Sequence, residues 1–156
     1  MNDAVNALSV EILIDAPPEK VWDAMTRRQA EWWCPRPWRT EIIAQEWRAG
    51  GRCAMVMRGP NAGEEHASEG IFLEVTPGVR FVTTDCVSTV TGAGDWTPQQ
   101  PFMIGIWELI PEGGATRYRA SARHWSAEAR KQHEDMGFVE GWQACARQLK
   151  ELVETA

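Results

Sequence analysis

The sequence has a single tyrosine against nine tryptophans, and it lacks any long apolar run. No stretch approaches the roughly 18 consecutive apolar residues of a membrane-spanning helix. Its first residues, Met-Asn-Asp-Ala-Val-Asn, lack the basic start and the apolar stretch of a signal peptide. The four cysteines are widely spaced, without a Cys-x-x-Cys pair, which favours reduced thiols over a disulfide framework or a zinc site. These absences lead us to expect a cytoplasmic protein.

Several function classes lack their usual signature in this sequence. There is no phosphate-binding loop, nucleophile elbow, paired metal motif or glycine-rich dinucleotide fingerprint, so we expect no cofactor and no resident metal. The formal net charge of -6 disfavours binding to nucleic acid, because phosphate recognition needs clustered lysine and arginine. With 156 residues, of which 44% are apolar and 24% charged, the chain is expected to form one globular domain over residues 1–156.

The tryptophans are the most unusual feature that is present. Trp32, Trp33 and Trp38 fall within seven positions. A tryptophan combines a large apolar body with an N–H group that seeks a partner, which suits the wall of a ligand cavity and a plain core equally well. For most of the tryptophans we expect the core. Trp33 and Trp38 lie beside the breakers Pro35 and Pro37, and for these two we expect a place in a cavity wall.

Residues 116–124 alternate between polar and apolar side chains, the pattern of a strand with one solvated face. The polar face carries Arg117, Arg119 and Arg123, which we expect to be balanced by nearby carboxylates. The opposite face, toward the core, carries Thr116, Tyr118, Ala120, Ala122 and His124.

The end of the chain shows helical spacing instead. Apolar residues recur at steps of three and four, which predicts one long amphipathic helix with the stripe Phe138, Trp142, Cys145, Leu149 and Leu152. Gly137 and Gly141 would each cost about 1 kcal/mol in the interior of that helix, so we expect a close approach or a bend there. On the helical wheel His133 falls on the polar arc, which predicts an exposed histidine.

Between the first strand and the last helix, the pattern predicts an antiparallel sheet. We expect a strand over residues 8–15, a helix from Pro18 to about Arg28 with one more turn to residue 33, and a long loop over residues 88–101 in which Trp96 suggests a lid. The other strands are predicted at residues 40–47, 52–58, 67–75, 80–87, 102–110 and 115–124. The terminal helix must cover the single apolar face of this sheet, and we expect a hollow between the two.

The order of motifs resembles the START-like SRPBCC superfamily, and more closely a bacterial subgroup of its AHSA-like family, named after the activator of the heat-shock-protein-ninety ATPase. The motifs that carry the resemblance are Ala16-Pro17-Pro18-Glu19-Lys20-Val21-Trp22, Trp33-Cys34-Pro35, Met57-Arg58-Gly59-Pro60, Arg123-His124-Trp125 and Met136-Gly137-Phe138. The resemblance implies an α+β helix-grip fold, also called START or birch-pollen-allergen-like: seven antiparallel strands around a long C-terminal helix, with two short helices after the first strand. This fold hosts lipid carriers, hormone receptors, polyketide cyclases and chaperone activators, so it does not settle the function.

Few polar residues are directed inward by strand parity: Asp85, His124, Thr83, Tyr118 and Glu69. Asp85 and His124 are the candidate catalytic pair, since a buried carboxylate and imidazole can act as acid and base. The alternative is that they hydrogen-bond each other or backbone groups. A metal site that joins His124 and His133 to Glu134 or Cys34 is a weaker interpretation, because the wheel exposes His133.

We therefore expect a protein that binds a small, largely apolar molecule beneath Trp142, oriented by Asp85, His124 and Tyr118. The predicted lining is Trp33, Trp38, Met55, Met57, Phe81, Asp85, Met103, Trp107, Tyr118, His124, Phe138 and Trp142. Two alternatives stay open: a cyclase-type or hydrolase-type enzyme that uses His124 and Asp85 as acid and base, and a chaperone partner that docks on the arginine face.

Overall fold

Residues 6–90 and 96–155 are described in the structure, a computed structural model. The strands are β1 (Ala7–Ile14), β2 (Arg39–Gln45), β3 (Arg52–Arg58), β4 (Glu65–Thr76), β5 (Arg80–Thr84), β6 (Val87–Ser88), β7 (Thr97–Pro98), β8 (Met103–Glu112) and β9 (Ala115–His124). The helices are α1 (Pro18–Arg27), α2 (Gln29–Trp32), α3 (Ala127–Asp135) and α4 (Phe138–Glu154). None of the helices within these ranges is both long and apolar enough to cross a membrane.

Seven strands form one antiparallel sheet in the order β1-β9-β8-β5-β4-β3-β2, and α4 packs across it against β1. Strands β6 and β7 form a separate small pair. This arrangement confirms the α+β helix-grip fold that the sequence predicts. The first and last strands of the sheet in sequence, β1 and β9, are neighbours, so the sheet brings the N-terminal segment to the foot of the closing helices.

The start of the chain folds as its local signals predict. Strand β1 buries Val10 and Ile14 and leaves Glu11 on the opposite face. Pro18 takes the first position of α1, where its missing N–H group and fixed φ cost nothing, and Glu19 lies in the first turn near the positive end of the helix dipole.

Strand β4 departs from simple alternation. Its register with β5 shifts between Phe72 and Glu74, which is a β-bulge. Leu73 is the extra residue of this bulge. It points outward and is 44% exposed, whereas Phe72 points inward and is 1% exposed. The expectation that Glu69 is directed inward is wrong, because its carboxylate pairs with the Arg52 guanidinium at 2.9 Å instead of reaching the interior.

The closing segment is two helices, not the single long helix predicted. Ser126 caps α3, and its hydroxyl accepts the Ala129 N–H at 3.0 Å. Gly137 then adopts φ +93, which ends α3 and starts α4. Gly137 is therefore a break and not an interior residue. Gly141 does lie inside α4, where an added Cβ would meet Pro35 Cγ at an ordinary 3.7 Å.

Part of the loop expected at residues 88–101 lies outside the described residues, at positions 91–95. The described remainder contains the small β6–β7 pair, and Trp96 is 60% exposed with φ +61. The Gln99 side chain donates to the backbone carbonyls of Glu69 at 2.9 Å and Asp85 at 3.0 Å. These bonds tie the second half of the loop to the sheet. The lid role of Trp96 stays a prediction.

The two glycines of the closing segment give a matched test. Gly137→Ala forces a Cβ into the left-handed region, so we expect the free energy of unfolding to fall by roughly 1–2 kcal/mol. Gly141→Ala adds a helix-favouring residue in a contact that has room, so we expect no loss and a gain of up to about 1 kcal/mol. Denaturant unfolding of both variants measures the difference. Equal effects would contradict the break at Gly137.

Candidate functional site

Aromatic rings fill the space between the sheet and α4. Trp107 stacks on Phe81 at 5.0 Å and on Trp142 at 5.4 Å between ring centroids. Trp33 meets Trp142 edge-on at 5.1 Å, and Phe138 lies 4.4 Å from Trp142. These separations are those of rings in direct contact. We call these five side chains the aromatic interior, and they occupy the position beneath Trp142 where the sequence predicts a hollow.

The loop after α2 places Trp33 in this cluster, and α4 holds that loop. The Gln148 side chain donates to the backbone carbonyls of Trp32 at 2.8 Å and Cys34 at 3.0 Å. The Cys34 N–H points to the Cys145 sulfur at 3.2 Å. Burial raises the pKa of the Cys145 thiol to about 12, so this thiol stays protonated. These bonds between α4 and the loop therefore hold the Trp33 indole in place, and neither the Cys34 nor the Cys145 thiol is activated.

Two polar atoms inside this region lack partners. In the part of the chain that the structure describes, Trp107 Nε1 and Tyr118 Oη are fully enclosed and make no hydrogen bond. Burial raises the pKa of the Tyr118 phenol well above its usual value, with a further contribution from Cys145. The Trp107 indole opposes that shift, but the two groups do not meet in hydrogen-bond geometry. An unpaired buried donor costs about 1–3 kcal/mol, so a pair of them is unusual.

Two buried histidines form a short hydrogen-bonded chain at the foot of α3. The ring atoms His124 Nε2 and His133 Nδ1 are 2.9 Å apart, and His124 Nδ1 lies 3.0 Å from the carbonyl oxygen of Asn6. The side chains are only 6% and 8% exposed. We call Asn6, His124 and His133 the histidine relay. The prediction that His133 is exposed is wrong. It rests on a helical wheel that treats α3 and α4 as one continuous helix, and the break at Gly137 gives α3 a different orientation.

Burial keeps both imidazoles of the relay neutral. It lowers the pKa of His133 to about 4, and the neighbouring His124 ring adds to this shift. Burial also lowers the pKa of His124; the Asn6 carbonyl opposes this shift, and the Arg130 charge adds to it. At neutral pH each ring therefore carries one N–H and one lone pair. In residues 6–90 and 96–155 no group of three or more His, Cys, Asp and Glu side chains could hold a metal ion.

Asp85 has a different partner from the one proposed for it. Its Oδ1 accepts the backbone N–H of Phe102 at 3.0 Å and lies 3.5 Å from the N–H of Met103. The carboxylate thereby holds the start of β8. His124 instead bonds to Asn6 and His133, so the structure does not join the candidate catalytic pair by a hydrogen bond.

The remaining residues of the predicted lining are spread over the sheet, with Met55 and Met57 on β3, Trp38 just before β2 and Met103 on β8. Met55 is buried, 8% exposed, whereas Trp38, Met57 and Met103 are half-buried. Met103 faces His124 across the β8–β9 register. Their role as ligand contacts stays a prediction.

A groove of about 520 Å³ opens on the surface between α1 and the sheet. Its walls include Trp22 and Trp47, whose rings contact Phe81 at 6.0 Å and 5.0 Å. Because Phe81 stacks on Trp107, the groove connects to the aromatic interior through one ring. Sequence reasoning missed this feature. The signal was available, since Trp22 belongs to the apolar stripe of α1 and Trp47 follows β2.

Two of the three arginines on the polar face of β9, Arg117 and Arg119, are paired with carboxylates. Arg119 contacts Glu11 at 3.1 Å and Glu108 at 3.4 Å, and Arg117 pairs with Glu112 and Glu11. Exposed pairs of this kind contribute little to stability, but they cancel the positive field. The face therefore offers weak support for an acidic docking partner.

Comparison with known proteins places the chain in a family. A family model described as activator of Hsp90 ATPase homolog 1-like protein matches residues 15–154. The chain belongs to this AHSA1-like family. No match is found among curated proteins.

Solved bacterial structures agree with AHSA1-like membership. A protein from Nitrosomonas europaea is 33% identical, with a TM-score of 0.85 over 99% of this chain and 97% of that one. A Mycobacterium smegmatis protein, 23% identical, has a TM-score of 0.78 over 97% and 92%. An AHSA1 protein from Silicibacter pomeroyi, 18% identical, has a TM-score of 0.68 over 96% and 98%. At these last two identities the likeness concerns the fold alone.

The relay makes the stability of this AHSA1-like domain depend on pH. His133 binds a proton in the unfolded chain below about pH 6.5 but in the folded protein only near pH 4, so the stabilisation present at neutral pH is lost as the pH falls between these values. We expect this loss to reach about 3 kcal/mol by pH 4. Unfolding measured at pH 7 and pH 4 should show this loss in the wild type and a clearly smaller one in His133→Phe, in which only His124 keeps a lowered histidine pKa. The same drop in both proteins would contradict a buried neutral His133.

Proposed function

We propose that this AHSA1-like protein binds a small, largely apolar molecule in the aromatic interior. The observation that carries the proposal is the pair of enclosed, unpartnered donors, Trp107 Nε1 and Tyr118 Oη. Buried polar groups are normally paired, and those of a binding site obtain their partner from the ligand. The expected ligand therefore has an apolar body and an acceptor such as a carbonyl or ether oxygen. The family membership supports the proposal, because this fold commonly binds ligands between sheet and helix.

Binding has to displace a ring, because the aromatic side chains fill the interior. Trp142 is the side chain that we expect to move. It lies near the N-terminal end of α4, about one turn after the break at Gly137 that separates this helix from α3. It also retains 8% exposure, whereas Phe81 and Phe138 retain 1% and 2%. Movement of Trp142 would leave a space bounded by Trp107 and its neighbours.

The affinity expected for simple probes is modest. A two-ring aromatic molecule buries about 150–250 Å² at about 25 cal/mol per Å², which gives roughly 4–6 kcal/mol. The displaced indole and the lost freedom of the ligand offset part of this gain. We therefore expect dissociation constants from about 0.1 mM upward, and one hydrogen bond to the unpartnered donors should improve them up to about tenfold.

Tyr118→Phe tests the proposal directly. Removal of an unpaired hydroxyl should leave the free energy of unfolding unchanged or raise it by up to about 1 kcal/mol. In calorimetric titrations the wild type should bind 2-methoxynaphthalene more tightly than naphthalene. In the variant this ether preference should shrink, because the ether oxygen loses the Tyr118 hydroxyl and keeps only Trp107 Nε1 as a donor.

Thr116→Val is the matched control on the same strand. The Thr116 hydroxyl is equally buried but donates to the Ala16 carbonyl at 2.7 Å. Its loss should lower the free energy of unfolding by about 1–2 kcal/mol and leave the ether preference intact. If Tyr118→Phe destabilises the protein as Thr116→Val does and the ether preference stays at its full wild-type size, the Tyr118 hydroxyl is not a ligand contact.

A further inference from the structure

The direction of every hydrogen bond in the histidine relay follows from its first member. The carbonyl oxygen of Asn6 can only accept, so the hydrogen of the His124 ring lies on Nδ1. A neutral imidazole has one N–H, and His124 Nε2 must therefore accept from His133 Nδ1. This leaves His133 with a free lone pair on Nε2. The relay thus fixes the tautomers of both rings.

The Nε2 atom of His133 makes no hydrogen bond within the described residues. Among the described residues, the side-chain polar atoms that are enclosed and unpartnered are Trp107 Nε1, Tyr118 Oη and Arg130 Nε. His133 Nε2 does not belong to this set, although no bond to it is formed within the described chain. His133 as a whole retains 8% exposure, so the ring is not completely sealed.

The surroundings of the His133 ring are apolar. Phe102 lies 5.1 Å away and Phe138 4.9 Å away between ring centroids, and Trp142 lies 5.8 Å away. One oriented acceptor among aromatic rings is the arrangement that fixes the orientation of an apolar ligand. Trp142 contacts both His133 and Trp107, so a guest that displaces this indole lies between the relay and the unpartnered donors.

We propose that His133 Nε2 accepts a hydrogen bond from a hydroxyl group of the bound molecule, so that the ligand is an alcohol or a phenol with an apolar body. This inference rests on the proposed ligand site and specifies the chemistry of its occupant. His124 acts as a positioning residue, because its bond to Asn6 fixes the tautomer of His133 and leaves the Nε2 lone pair free. The hydroxyl oxygen remains free to accept from another donor.

The relay fits binding better than proton abstraction. His133 has a pKa of about 4, whereas a phenol such as tyrosine has a pKa of about 10, so a proton transfer from ligand to ring would be uphill by about six pKa units. The positive charge of Arg130, which pairs with Glu134 at 3.2 Å, further disfavours a protonated His124. A neutral ring that cannot take the proton still accepts the hydrogen bond.

The first test needs no ligand and no variant. Long-range ¹⁵N–¹H NMR spectra of the histidine rings report which nitrogen carries the hydrogen. We expect the Nδ1–H tautomer for both His124 and His133. An Nε2–H tautomer at His133 would remove the free lone pair and overturn the inference, whatever the ligand.

The second test compares three probes that differ in one group: naphthalene, 2-methoxynaphthalene and 2-naphthol. We expect 2-naphthol to bind about tenfold more tightly than its methyl ether, and the His133 Nε2 resonance to shift with 2-naphthol only. His133→Phe should abolish this hydroxyl preference and retain the ether preference over naphthalene. His66→Phe, which replaces an exposed histidine on β4, is the control and should behave as the wild type.

The outcomes separate the two proposals. If the ether preference depends on Tyr118 but 2-naphthol gains nothing and the Nε2 resonance does not move, the hydroxyl inference fails and the ligand site stands. If none of the three probes binds, the ligand site fails and the inference falls with it. The wild-type resonance decides the first case even if His133→Phe does not fold.

Discussion

The contact of Trp142 with Trp107 is the interaction on which the rest of this structure depends. It joins the first turns of α4 to the centre of the sheet, with ring centroids 5.4 Å apart. Phe81 continues the stack on one side and Phe138 on the other. A packed aromatic layer of this kind contributes through its buried area and through ring geometry. It also bears on the proposed function, because the same rings occupy the space that a ligand would use.

The buried polar groups of the interior are of two kinds, paired and unpaired. In the histidine relay each ring has a partner, and burial keeps both rings neutral. Around Trp107 and Tyr118, by contrast, the indole N–H and the phenol hydroxyl are enclosed and make no hydrogen bond. Buried polar groups are normally paired, so two unpaired groups need an explanation. Under the proposed function, the explanation is a ligand that supplies the acceptor.

Local signals in the sequence predict the frame well. The alternation of residues 115–124 and the proline at position 18 set the bounds of β9 and the start of α1, because both depend on the period and on backbone chemistry alone. The bulge at Leu73 is not encoded in a simple period of two. The burial of His133 depends on the break at Gly137. A helical wheel drawn for one continuous helix does not show this break. Whether the rings fill the hollow depends on rotamers, which periodicity does not determine.

The most direct measurement of the central claim is the indole N–H resonance of Trp107 during titration with 2-methoxynaphthalene. A new acceptor for an unpaired N–H should move this resonance downfield, while the resonance of Trp142 changes because its ring moves. A Trp107 resonance that stays fixed at saturating ligand would contradict binding in the aromatic interior, even if the probe binds elsewhere on the protein.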